Sequence, residues 1–199
     1  LRSLDDAARR GGTLLGSARS KVFPTEDGQR RAREHLAAER IAALLVIGGN
    51  GSLTGAHALR DSGVAVAGLP ASIDNDLGGT SMAIGVDTAM NTIMEACDRI
   101  CDTASAHRRT FLIEVMGRDC GYLAMTSAIA AGADAVLVRE TGKSDDALVD
   151  QVVRAMESAY TKNRKRRVLV VKAEGVKIDT QKLKEAVDAR VAASLPDVD

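Results

Sequence analysis

Apolar residues come in short unbroken runs along this chain, and between the runs they recur every three or four positions. Residues 42–47 read AALLVI, 64–69 VAVAGL, 110–116 TFLIEVM, 135–138 AVLV and 167–173 RVLVVKA. Continuous aliphatic runs of this length, bounded by Gly, Pro or polar residues, indicate strands buried on both faces. Helical spacing fills the intervals over residues 28–41, 52–62, about 85–103, about 120–131, about 145–160 and about 180–194. Ser52 is the expected N-cap of the second of these. In the third, Met90, Ile93, Met94, Cys97, Ile100 and Cys101 fall along one side. The chain opens at Leu1, without a methionine, inside a further helical pattern. Strand and helix in strict alternation predict an α/β fold with a doubly wound, mostly parallel sheet. The stretch 71–84 is long, polar and Gly-containing, and is expected to join two lobes, 1–84 and 85–199, and to carry function.

Composition narrows the function more than the fold. The 199 residues are 45% hydrophobic and 27% charged, ordinary globular values, with only 2% aromatic residues. Leu, Val, Ile, Ala and Met must therefore fill the core, and a base-stacking surface is disfavoured. Lys plus Arg equals Asp plus Glu at 27 each, so the chain lacks the basic excess of a nucleic-acid binder. The run KNRKRR at 162–167 reads as a solvated helix end with a short loop. Cys97, Cys101 and Cys120 are an odd set with no framework spacing, which points to reduced thiols in a cytoplasmic protein. Cys97 and Cys101, four apart, read as small buried side chains. No apolar stretch reaches membrane-spanning length, and no signal peptide is expected.

In an open α/β sheet, ligands lie beyond the carboxyl ends of the strands. The loops expected there are unusual. GGNGS at 48–52 follows a strand and precedes a helix, so Gly48, Gly49 and Gly51 could let backbone N–H groups approach a phosphate at the positive end of that helix. A tight βα turn is the plainer alternative; the P-loop and dinucleotide fingerprints are both absent. PASIDND at 70–76 places Asp74 and Asp76 around an asparagine at a strand end. Two carboxylates there could hold Mg²⁺ and accept a proton, or could form a capping and turn cluster. EVMGRDCG at 114–121 brings Arg118 to a strand end, where it suits an anion, while Arg109 lies at the opposite edge of the same strand and could reach a neighbouring subunit. Arg19 sits in an early loop, and Glu174 ends another strand.

Taken in order, GGTLLGSARS, VIGGNGSLTGA, LPASIDND, GGTSMAIGVDTA, DTASAHRRTFLIEVMGRDCGYLA and GADAVLVRE resemble the signatures of the 6-phosphofructokinase family, from about residue 11 to 175. The resemblance implies two Rossmann-like lobes, an ATP-binding part within 1–84 and a sugar-phosphate part within 85–199. It implies phosphoryl transfer from ATP to the C1 hydroxyl of fructose 6-phosphate in glycolysis, with Mg²⁺ as cofactor, in a cytoplasmic, allosteric homo-oligomer. Asp74 resembles the base that takes the hydroxyl proton, and Asp76 its companion at the metal and phosphate. Ser72 stands at a substrate-contacting position. Arg19, Gly49, Asn50, Gly51 and Ser52 match donor contacts, with Asn50 also on the metal side. Met116, Gly117 and Arg118 match sugar-phosphate contacts, Glu174 a sugar-binding carboxylate, and Arg109 an arginine given to the neighbouring subunit's site.

Donor choice follows from two positions. Relatives that use pyrophosphate typically carry Asp where this chain has Gly51 and Lys where it has Ala71, so ATP is the expected donor. A pyrophosphate-dependent enzyme and a non-catalytic nucleotide-binding subunit are the alternatives. Three departures stand out. Asn50 replaces the usual aspartate of GGDGS, and Cys101 replaces an arginine that helps bind an effector in many bacterial relatives. The family's first strand and its loop would precede Leu1, and its GH-x-x-RGG segment would follow Asp199, so the chain is expected to be inactive alone.

Overall fold

The computed structural model describes residues 10–14, 16–60, 63–192 and 194–195. The helical pattern at Leu1 lies outside the described residues. In chain order the elements are α1 (Glu26–Ala38), β1 (Ala43–Gly48), α2 (Asn50–Ala58), β2 (Ala65–Pro70), α3 (Val86–His107), β3 (Thr110–Val115), α4 (Tyr122–Ala130), β4 (Ala135–Leu137), α5 (Asp145–Glu157), β5 (Val168–Ala173) and α6 (Thr180–Val191). A 3₁₀ turn, Arg139–Thr141, follows β4, and one π turn, Ser158–Lys162, prolongs α5. The chain forms two compact units. One is Leu1–Val46 with Gly51–Gly68; the other is Ile47–Asn50 with Leu69–Asp199.

In the first unit, α1 starts where Thr25 accepts the Gly28 N–H at 3.1 Å, with Glu26 and Asp27 at its positive end. Gly28 is required there: a Cβ would stand 2.1 Å from the Val22 carbonyl oxygen. Strands β1 and β2 form a two-stranded sheet.

The second unit holds the main sheet, ordered β3-β5-β4 and parallel throughout. Register pairs Thr110 with Val168 and Val115 with Ala173 on one side of β5, and Ala135 with Val170 on the other. Every residue of the central strand is buried, as its unbroken aliphatic run requires. Val170, Val171, Leu137, Leu148, Val152 and Leu183 belong to the large core built against α5 and α6. A smaller core joins Ala83 and Val86 to Leu123 of α4. This doubly wound α/β arrangement is the expected one.

Local differences from the sequence reading have local causes. α3 runs past 103 to His107 because Ala104 continues its buried side; the helix stops where Arg108 turns left-handed at φ +55°. The expected side of α3 is only partly buried: Cys97 is fully buried, while Met90, Ile93, Met94, Ile100 and Cys101 are half-buried. α2 begins at Asn50, so Ser52 falls inside the first turn and is not the N-cap. The basic run 162–167 is solvated up to Arg166, as expected, with Lys165 paired to Asp134 at 2.5 Å.

One polar residue interrupts the sheet core. Lys172, 2% exposed, is paired in register with Glu114 and reaches its carboxylate at 2.7 Å. Thr180, in the first turn of α6, also hydrogen-bonds Glu114. Bonds from Lys172 and Thr180 hold the Glu114 carboxyl below its usual 4.5. The folded state therefore gains from ionised Glu114 at and above that value and loses the gain as pH falls through the lowered one. In Glu114→Gln, urea unfolding midpoints should drop at neutral pH and depend less on pH across the acid range than in the parent protein. Leu183→Ala, at a fully buried position, should cost about 2–5 kcal/mol in the same urea measurements.

Candidate active site

Parallel strands leave their carboxyl ends on one edge of the sheet, and the second unit builds its site on that edge. β3 ends at Val115, and the chain then passes through Gly117 at φ +141° and Arg118 at φ +54°. Two successive residues in this half of backbone space turn adjacent N–H groups toward one point, a concavity suited to an anion. Here the anion is the chain's own: Glu174, just beyond β5, accepts from the Gly117 N–H at 2.9 Å and from the Arg118 N–H. Only glycine fits at 117, where a Cβ would lie 2.6 Å from the Cys120 carbonyl oxygen. Glycine is equally required at 175, where a Cβ would meet the Arg118 carbonyl oxygen at 2.3 Å. The Glu174 carboxylate and the Met116–Gly117–Arg118 turn thus form one rigid construction, with the Met116 side chain exposed.

The PASIDND stretch leaves β2 as a turn. Ala71 donates to the Gly48 carbonyl at 2.9 Å and forms a parallel bridge with Ile84, which closes the 71–84 loop on itself. Ser72 Oγ accepts the Asp74 N–H at 3.3 Å and lies 3.6 Å from the position of a Cβ on Gly49. Asn75 adopts φ +52°. Its Oδ1 accepts the Ala83 N–H at 3.0 Å and its Nδ2 donates to the Ser81 carbonyl at 3.2 Å. Asp76 Oδ2 accepts from Asn50 Nδ2 at 2.6 Å, so the glycine turn and the carboxylate loop are joined directly. The other oxygen, Oδ1, is buried and has no protein partner.

Charge places the remaining residues. The Asp74 carboxyl is pushed above its usual range by burial first, then by the charges of Asp76 and Glu174, and is drawn back by Arg118. Asp74, Asp76, Glu174 and Arg118 therefore share one electrostatic neighbourhood. An aspartate of raised pKa is a better base than an ordinary one. An orphaned buried oxygen beside an amide suits a single carboxylate bond to Mg²⁺, which keeps waters and phosphate oxygens as its other ligands. Among the described residues no group of three His, Cys, Asp or Glu forms a protein cage for a metal.

The structure thus brings together Ser72, Asp74, Asp76, Gly49, Asn50, Gly117, Arg118 and Glu174, all in the second unit. Gly51 and Ser52 continue into the first turn of α2, within the first unit, and a Cβ on Gly51 would meet nothing within 4 Å. Arg19 is an exposed loop residue of the first unit. Arg109 precedes β3; at about 3.3 Å per residue it is roughly 20 Å along the strand from Val115, beyond which the chain turns to Arg118. Spacing did not single out Asn75 or Cys120. The available signal was an asparagine between two aspartates at a strand end, since Asn tolerates a left-handed backbone. Cys120 donates its thiol to the Asn75 carbonyl at 3.8 Å, linking the two turns.

Comparison with known proteins gives this edge of the sheet a lineage. The family model described as Phosphofructokinase matches residues 1–197. The ATP-dependent 6-phosphofructokinase of Brevibacillus brevis is 46% identical over 176 residues, covering 88% of this chain and 54% of that protein. That of Natranaerobius thermophilus is 47% identical over 175 residues, covering 88% and 53%. The chain spans about half the length of the curated relatives it matches. Among solved structures, phosphofructokinase from Saccharomyces cerevisiae superposes with a TM-score of 0.76 at 34% identity, covering 89% of this chain and 28% of that one. A pyrophosphate-dependent phosphofructokinase from Marinobacter aquaeolei has a TM-score of 0.71 at 21% identity over 91% and 48%, a likeness of fold. With the family model spanning nearly every residue and ATP-dependent relatives 46–47% identical over 88% of its length, the chain belongs to the phosphofructokinase family.

Proposed function

We propose that the polypeptide carrying this chain transfers the terminal phosphoryl group of ATP to the C1 hydroxyl of fructose 6-phosphate, giving fructose 1,6-bisphosphate and ADP. The single observation that carries the reading is the Asn50–Asp76 hydrogen bond of 2.6 Å, which ties the glycine turn to the carboxylate loop beside Asp74. Phosphoryl transfer needs in-line placement, charge neutralisation and a base, and the neighbourhood of Asp74, Asp76 and Arg118 supports the reading by offering a base and both signs of charge.

Each residue has a task in this reading. Gly48 and Gly49 keep side chains away from the approaching donor, and the free N–H groups at the start of α2 face its phosphates, with Gly51 and Ser52 in that first turn. Arg19 is the donor-side cation of the first unit. Asp74 accepts the proton of the attacking hydroxyl, helped by its raised basicity. Arg118 opposes the negative charge of the sugar phosphate, Met116 and Gly117 shape the wall behind it, and Glu174 and Ser72 hold sugar hydroxyls. Asp76 Oδ1, with Asn50 beside it, would hold Mg²⁺, which supplies charge neutralisation on the phosphates when bound. Residues 1–84 carry the donor side and 85–199 the sugar side.

Arg109 lies too far along β3 to serve the site that Arg118 serves, which supports a homo-oligomer in which it reaches a neighbour's sugar phosphate. ATP is favoured over pyrophosphate by the space at Gly51: no protein atom lies within 4 Å of a Cβ there, so packing alone does not demand a glycine. The ATP-dependent names of the more similar relatives point the same way. Among the described residues no helix is long and apolar enough to cross a membrane. A glycolytic activity and three free thiols fit the cytoplasm.

Turnover of ATP and fructose 6-phosphate by the full-length protein is the direct test. Nucleotide binding without turnover would favour a regulatory subunit, and turnover with pyrophosphate alone would reverse the donor assignment. Asp74→Asn should lower kcat by roughly 10²–10⁴-fold, the usual cost of losing a general base, with nucleotide affinity little changed. Arg109→Ala should raise the KM for the sugar phosphate in the assembled oligomer and leave isolated monomers unaffected, as sedimentation-resolved kinetics would show.

A further inference from the structure

The residue between the two carboxylates has no task in the scheme above, yet it is the best anchored of the turn. Asn75 reaches across the 71–84 loop with both ends of its amide, accepting from Ala83 and donating to Ser81. Ala83 is 3% exposed, so its N–H would be stranded without that acceptor. The Asn75 backbone sits at φ +52°, and its carbonyl receives the Cys120 thiol from the neighbouring turn. Few residue types meet all of these demands. Glycine would accept the backbone angle but offer no arm. Aspartate could accept from Ala83 but could not donate to Ser81. Glutamine places the amide one methylene further out.

The consequence falls on residues 74 and 76. They are the immediate neighbours of the one residue pinned at the loop's far side. Each is fixed at one further point: Asp76 accepts from the Asn50 amide, and the Asp74 N–H donates to Ser72 Oγ at 3.3 Å. We propose that Asn75 is a positioning residue: its two amide bonds to the 81–83 backbone hold the turn that carries Asp74 and Asp76 in place before any reactant arrives. This rests on the phosphoryl-transfer reading of the same site. Reacting groups displaced by about 1 Å can lose 10²-fold in rate, so holding a turn this firmly has catalytic weight.

The test uses the full-length protein with Asn75→Gly, which keeps the backbone angle and removes both bonds, and Asn75→Asp, which keeps only the bond to Ala83. Hydrogen exchange at the Ala83 amide and steady-state kinetics are measured on each. In Asn75→Gly, Ala83 should exchange about tenfold faster or more. Its kcat should fall roughly 10–10²-fold while the KM for nucleotide moves by less than about threefold. Asn75→Asp should keep Ala83 protected and still lose kcat. A folded Asn75→Gly enzyme with kcat within about twofold of wild type would overturn the proposal, because a purely structural clasp lowers stability without splitting kcat from KM. Unchanged exchange at Ala83 would overturn it as well. If Asn75→Gly does not fold, the kcat of Asn75→Asp decides: unimpaired turnover rejects the positioning role. Wild-type protein without turnover would instead sink the phosphoryl-transfer reading, and exchange at Ala83 would still show whether Asn75 holds the turn.

Discussion

Three carboxylates and one guanidinium share one electrostatic neighbourhood in the second unit, and the site rests on keeping the repulsion among the carboxylates in check. Asp76 is met by the Asn50 amide, and Glu174 by two backbone N–H groups of the Gly117–Arg118 turn. Asp74 is answered through space, by Arg118, and takes the burden of burial and of both neighbouring charges. The asymmetry is chemically useful. Groups with fixed donors are held in place, while Asp74, left without such support, becomes the stronger base. Neutral and backbone donors hold Asp76 and Glu174, so Asp74 is the carboxylate that draws on Arg118.

That arrangement depends on glycines and left-handed residues more than on the conspicuous charged ones. Gly117 and Gly175 stand where a single Cβ would strike the Cys120 or Arg118 carbonyl, so the Glu174–Arg118 construction collapses without them. Arg118 and Asn75 both adopt positive φ, a strain concentrated at the site and supported by the surrounding hydrogen bonds. Beneath them, the register of β3 on β5 sets Glu114 against Lys172 and Val115 against Ala173, and the Glu174 N–H continues the ladder to Val115. Register thereby fixes how far Glu174 stands from the Gly117 and Arg118 amides. The buried Lys172 is tolerated because its carboxylate partner lies directly opposite, with Thr180 completing the pair.

The strands were largely legible in the sequence because they are unbroken aliphatic runs, a signal that survives without any tertiary information; burial on both faces holds for β5, whereas β1 and β2 keep exposed positions such as Leu45, Ile47 and Leu69. All five strands fall within a residue or so of the runs that announce them, from Ala43–Gly48 to Val168–Ala173. Helix ends were less legible. Ser52 has the chemistry of an N-cap, but the chain is already helical at Asn50, a residue whose side chain is committed to Asp76. His107 extends α3 because burial of Ala104 outweighs the polar composition of its last turn. At the site, motif order identified the residues with distinctive chemistry, Asp74, Asp76, Arg118 and Glu174. It was silent about the bonds among them. The pairing of Asn50 with Asp76 spans 26 positions and that of Glu174 with Gly117 spans 57, separations at which local pattern carries no information.

The substitution of asparagine at position 50 changes what the glycine turn can contribute. A carboxylate there would sit 2.6 Å from another carboxylate, a contact that costs energy unless a cation or a proton lies between them. An amide removes that requirement and turns repulsion into a hydrogen bond. The turn and the loop are therefore joined without a cation between them, and Asp76 Oδ1 is left buried with no protein partner. With a single protein carboxylate on offer, a cation held there would take most of its ligands from water and from phosphate oxygens. Under the proposed reading, a divalent ion and a nucleotide would then depend on each other for affinity more than either would depend on the protein.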